Sequence, residues 1–126
     1  MAIVDAGRNH IAGILLGEAL TDFNNANSYI GVGDSATAYA AGQTDLQAGA
    51  NKFRQAMEAT YPSRATNVVT FRSLMATGSA NYTWAEWAIF NAAAAGTMLS
   101  RKVEALGTKT SAQAWQITAT LTLTTA

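Results

Sequence analysis

The sequence predicts a mainly β protein: an antiparallel β-sandwich or small barrel with one N-terminal helix. Three observations carry that prediction. Helical periodicity occurs once, near the start, and short apolar stretches separated by turn residues follow it to the end. The last stretch alternates apolar and polar residues through five pairs, the pattern of a half-buried antiparallel strand.

Between Asn9 and Leu20, the residues Ile11, Ile14, Leu15 and Ala19 recur at spacings of three and four, so that segment is expected to be helical. Asn9 suits the N-cap. Gly13 and Gly17 each weaken a helix by about 1 kcal/mol relative to alanine, and they let another backbone approach closely. Asn24 to Ser28 reads as a loop that closes an N-terminal arm of residues 1–28. Tyr29 to Gly33 is a short strand ended by Gly33-Asp34-Ser35, with Gly33 placed to take a positive φ in the turn. Residues 36–51 are mostly Ala, Gly, Thr and Gln without a period, and they are expected to form a long surface loop used for contact.

From Lys52 the pattern is one of strands. Lys52 to Thr60 ends at the turn Tyr61-Pro62-Ser63; Thr66 to Ala76 ends at Thr77-Gly78-Ser79. Trp84 to Phe90 alternates, with Trp84, Glu86, Ala88 and Phe90 on one face and Ala85, Trp87 and Ile89 on the other. Asn91 to Gly96 turns the chain into a strand from Met98 to Glu104. In the last strand Trp115, Ile117, Ala119, Leu121 and Leu123 face one way, and Gln116, Thr118, Thr120, Thr122 and Thr124 face the other. Residues 29–126 thus form a β-rich body, and 1–126 a single domain.

This is a chain of small residues: 27 alanines and 16 threonines among 126, with 13% charged. Eight basic and eight acidic side chains argue against a nucleic-acid partner, because phosphate affinity needs clustered Lys and Arg. The hydropathy and zero net charge argue against disorder. Without cysteine there is no thiolate nucleophile and no disulfide framework. No apolar run approaches the roughly 18 residues of a membrane span, and the start lacks the basic region of a signal peptide. A soluble, unprocessed chain without a membrane partner is expected.

The zero net charge hides an asymmetry. Residues 1–51 hold Asp5, Glu18, Asp22, Asp34 and Asp45 against Arg8, a balance of −4; residues 52–126 hold seven basic residues against Glu58, Glu86 and Glu104, a balance of +4. Either the two halves meet within one fold, or the acidic face of one copy meets the basic face of the next.

Catalytic chemistry finds little support. His10 is the lone imidazole, and no partner for a triad is specified near it, so a capping or surface role is expected. No metal is expected, since the carboxylates lack ligand spacing. No cofactor is expected either: Gly31-Val-Gly33 lacks the third glycine and the helix of a dinucleotide fingerprint. Glu86 shares a face with Trp84 and Phe90, so it is expected to be buried in a structural ion pair, with Arg72 and Arg101 in neighbouring strands as partners. Trp87 would serve as a sugar-stacking platform if its face were exposed, which makes carbohydrate binding a remote alternative.

A resemblance emerges from the residues taken together. Ile30-Gly-Val-Gly-Asp-Ser35, Thr44-Asp-Leu46, Tyr61-Pro62, Val69-Thr-Phe71, Asn81-Tyr-Thr-Trp-Ala-Glu-Trp-Ala-Ile-Phe-Asn91, Gly96-Thr-Met-Leu-Ser-Arg-Lys-Val103 and Thr108-Lys-Thr110 span about residues 29–124. Their succession resembles small virion structural proteins of tailed bacteriophages, and also collar-like domains near the N-termini of phage tail fibres. The resemblance implies a non-enzymatic building block present in many copies on a virion assembled in the host cytoplasm, and it brings no catalytic residue. With no shaft after Ala126, a capsid decoration (cement) protein is expected, with a tail-fibre or baseplate adaptor as the alternative. The implied partners are the major capsid protein or other virion proteins, and further copies of the chain itself in a homotrimer. The expected contact surface comprises Arg8, Asp34, Asp45, Thr118, Thr120 and Thr122.

Overall fold

A computed structural model describes residues 2–125. Helix α1 spans Asp5–Leu15, and seven strands follow: β1 Tyr29–Gly33, β2 Lys52–Ala56, β3 Ser63–Ala65, β4 Val68–Met75, β5 Thr83–Phe90, β6 Met98–Thr108 and β7 Trp115–Thr122. They form two antiparallel sheets, ordered β2-β1-β5-β6 and β3-β4-β7. The fold is a β-sandwich with one N-terminal helix.

Strand alternation explains the layering. In the larger sheet Ile30 pairs with Ile89 and Val32 with Trp87, and these four side chains enter the inter-sheet core with Phe71, Met75 and Ala119 of the smaller sheet. Each such burial stabilises the fold by about 1.5–3 kcal/mol. The opposite face of β5 carries Ala88 and Phe90, which form a second cluster with Val4, Leu46 and Met98 beneath the helix and the 34–51 loop. Both faces of β5 are therefore covered. That is why Trp84 to Phe90 reads as an almost unbroken apolar run.

Several expectations need correction. The helix begins four residues earlier than Asn9, with Val4 in the N-cap position and no side-chain cap, and it ends at Leu15. Its buried residues are Gly7, His10 and Gly13, whereas Ile14 and Leu15 are exposed. The cause is proximity: a Cβ at Gly7 would fall on the Leu99 carbonyl of β6, so the helix is docked by smallness rather than by an apolar stripe. Gly17, at φ +74, ends it in the left-handed conformation common just past a helix.

Ser63 opens β3 instead of completing a turn, so the chain makes a hairpin through Thr66 and Asn67 that the turn residues had concealed. Strand β2 stops at Ala56, short of Thr60, and β6 runs on to Thr108, past Glu104. A register shift lies between Trp84 and Glu86. Trp84 packs in the inter-sheet core with Trp87 and Ile89, edge-on to Trp115 at 5.0 Å, and not beside Glu86 as strict alternation required.

Candidate functional site

The strongest polar constellation lies on the outer face of the larger sheet. Glu86 on β5 and Arg101 on β6 are both fully buried, and Arg101 Nε donates to Glu86 Oε1 at 2.8 Å. The remaining capacity of each group is directed at the 34–51 loop. Glu86 accepts the backbone N–H groups of Gln47 at 2.8 Å and Ala48 at 2.9 Å. Arg101 donates to the Thr37 carbonyl at 2.9 Å and to Gln43 Oε1 at 3.0 Å. A buried charge pair is tolerable where such bonds satisfy it. The loop is therefore stapled to the sheet, with Leu46 and Ala48 buried beneath it, and is not a free contact loop along its length.

Gly33 has its own part in this arrangement. It does not take a positive φ, contrary to the turn reading; a Cβ there would stand 2.5 Å from Glu86 Oε2. The glycine leaves room for the carboxylate. Tyr82 donates its hydroxyl to the Val32 carbonyl at 2.8 Å. Burial, and then the negative charges of Asp34 and Glu86, push its phenol above the ordinary range.

Arg72 is not part of this cluster. It lies on β4 in the other sheet, pairs with Glu58 at 3.0 Å and stacks its guanidinium on Tyr61 at 4.2 Å. Asp45, expected on a contact surface, is held within the fold by Lys52 at 3.2 Å and Arg54 at 3.3 Å. Partial burial raises its pKa, but the Leu46 amide and the two cations outweigh that effect and hold the carboxyl below the ordinary value. The acidic and basic halves thus meet inside one chain at Asp45, whereas Glu86 and Arg101 both belong to the basic half. Asp34 is exposed and accepts from Asn51 Nδ2 at 2.8 Å, while Arg8 pairs with Asp5 on the same helix.

His10 is buried edge-on to Phe23 at 5.0 Å, rather than capping the helix or lying at the surface, and its Nε2 has no hydrogen-bond partner among the described residues. Trp87 is buried and donates to Glu104 Oε1 at 3.0 Å, so its ring offers no face for a sugar. Among the described residues, no group of three or more His, Asp or Glu converges as a metal site would require, and no helix is long and apolar enough to cross a membrane.

Two features escaped the sequence. Lys109 is buried with its ammonium on the Ala76 carbonyl at 2.7 Å and Asn81 Oδ1 at 2.7 Å, locking the 76–81 turn against the end of β6. A lysine reads as a solvated residue, and its place after Thr108 was the one hint. The second is an apolar surface around the end of α1. There Leu15 is 81% exposed and Leu16 82%, with Ile14 and Leu20 also exposed.

On β7 Gln116, Thr118, Thr120 and Thr122 are exposed as read, but the strand ends at Thr122, and Leu123, expected to face inward, is exposed. No protein-family model matches the chain, and no curated protein matches it.

Proposed function

We propose that this chain is a non-enzymatic virion structural protein of a tailed bacteriophage, a capsid decoration protein that binds and stabilises the assembled shell. The observation that carries the reading is the apolar surface at the end of α1. Leu15 and Leu16 are consecutive, more than four-fifths exposed, and flanked by Ile14 and Leu20. Apolar surface gathered in this way marks a contact with another protein more often than a site of chemistry. The polar groups add support, since the buried pair Glu86–Arg101 and Lys109 are occupied in holding loops and turns. The resemblance carried by the motifs from Ile30 to Thr110 supports this class of assembly.

Binding only to the assembled shell would stabilise it by mass action, by about 2.7 kcal/mol per site at a free concentration a hundred times Kd. A tail-fibre or baseplate adaptor would use the same kind of surface at far lower copy number. Co-sedimentation with shells lacking the protein tests the reading. The native chain is expected to bind to saturation, and Leu15→Ser/Leu16→Ser to lose binding while keeping its melting temperature. Failure of the folded native chain to bind any virion particle would remove the proposal.

A further inference from the structure

The sandwich has four edge strands, and three are guarded. Strand β2 carries Lys52 and Arg54; β3 is three residues long with Arg64 at its centre; β6 carries Lys102 and Glu104 and is broken by register shifts. Charge, shortness and bulges are the usual devices that keep sheet edges from pairing. Strand β7 has none of them. It runs eight residues in unbroken register with β4, contains no proline or charged residue, and borders no strand on its other side.

The core is also open along this edge. On β4 the inward-facing Ser73 and Met75 are buried, whereas their partners on β7, Ile117 and Trp115, remain half-exposed, as does Leu121 further along the strand; Ala119, opposite Phe71, is buried. Between β7 and the end of β6 runs a groove of about 440 Å³, with Trp84, Trp115, Ile117 and Leu106 supplying its apolar walls. A free backbone edge beside an unfilled apolar groove is the arrangement that accepts an added strand.

We infer that a second copy of this chain occupies the edge, with β7 pairing antiparallel to β7 across a two-fold axis. The charge pattern selects this occupant. No charged side chain lies between Thr110 and Ala126, and the charges beside the strand, Glu58 and Arg72, already engage each other, so two such edges meet without opposing like charges, whereas a charged segment would lose hydration for no free counter-charge on the strand. The pattern is also self-matching, as a two-fold contact requires. Directly opposed residues of an antiparallel pair share a face. Registers centred on Thr118 or on Ala119 therefore set the polar face of one copy against that of the other, and apolar residues against apolar. The result is a six-stranded sheet, β3-β4-β7 continued by its symmetry mate, with each groove closed by the other copy's inward side chains. This two-fold pairing takes the place of the threefold association implied by resemblance, and it does not depend on the virion reading.

Sedimentation equilibrium of the full chain over a range of concentrations tests it. The native protein is expected at twice 13.2 kDa. Thr118→Lys/Thr120→Lys is expected at the monomer mass with an unchanged far-UV spectrum, because either register then sets lysine against lysine. Thr118→Ser/Thr120→Ser should remain dimeric. Amide exchange of the native chain supplies a second readout that requires no variant: protection of β7 should rise with protein concentration. A native monomer or trimer, a lysine variant that stays dimeric, or a dimer whose β7 exchange ignores concentration would each overturn the inference. Protection of β7 gained only on adding shells would assign the edge to a foreign partner and overturn it as well.

Discussion

Glu86 and Arg101 show how much one buried charge depends on its neighbour. Each is fully buried, and together they bond four points of the 34–51 loop. Glu86→Gln keeps the shape but leaves the guanidinium without its counter-charge, so unfolding free energy should fall by about 3–5 kcal/mol. Chemical denaturation measures this. The double variant Glu86→Leu/Arg101→Leu should lose less than the two single changes summed, because no charge is then stranded.

Tyr82 adds a pH dependence of known sign. Its phenol is raised above the ordinary value, so the unfolded chain gives up this proton at lower pH than the folded one. The stabilisation is whole below about pH 10 and is lost as pH rises towards the folded value. Tyr82→Phe should flatten the alkaline fall in stability by one proton, read from melting temperatures across that window. The burial of Glu86 was legible because it shares a face with Phe90, although Trp84, the other residue behind that reading, packs in the opposite core. The choice of Arg101 over Arg72 was not, because it depends on which sheet each strand joins.

At the scale of elements, α1 is the instructive case. Its length and position follow from docking on β6, where Gly7 lies against the Leu99 carbonyl, Val4 N–H bonds to that carbonyl at 3.2 Å, and Ile3 bridges Ser100. The apolar stripe was a partial signal: Ile11 packs against the core beside the glycine-bearing face, whereas Ile14 and Leu15 are exposed. Gly7→Val should destabilise the protein by about 1–3 kcal/mol through overpacking. Hydrogen exchange should locate the loss in α1 and leave β4 and β5 unaffected. Strands β1, β4, β5 and β7 were readable because alternation or a continuous apolar run survives burial. The end of β6 was not readable, because its register shifts and Gly107, at φ +107, break the period.

At the scale of the molecule, the acidic and the basic half are tied within the chain through Asp45, which pairs with Lys52 and Arg54. Glu86 and Arg101 both belong to the basic half, and their pairing neutralises charge there. Charge reversal at Asp45 would therefore loosen the fold itself, whereas at exposed Asp34 it gives up the hydrogen bond from Asn51 and breaks no ion pair. Two surfaces carry no charge: the leucines at the end of α1, and the unguarded edge of β7 with its threonine face. Both surfaces come from residues whose type was plain in the sequence, but whose exposure followed from close approach elsewhere.

The central claim, that this chain decorates a phage shell, is tested most directly by counting its copies per purified virion and locating them by electron microscopy. Hundreds of copies over the head would agree with it. Tens at the tail would transfer the chain to the adaptor role, and absence from the particle would contradict the account.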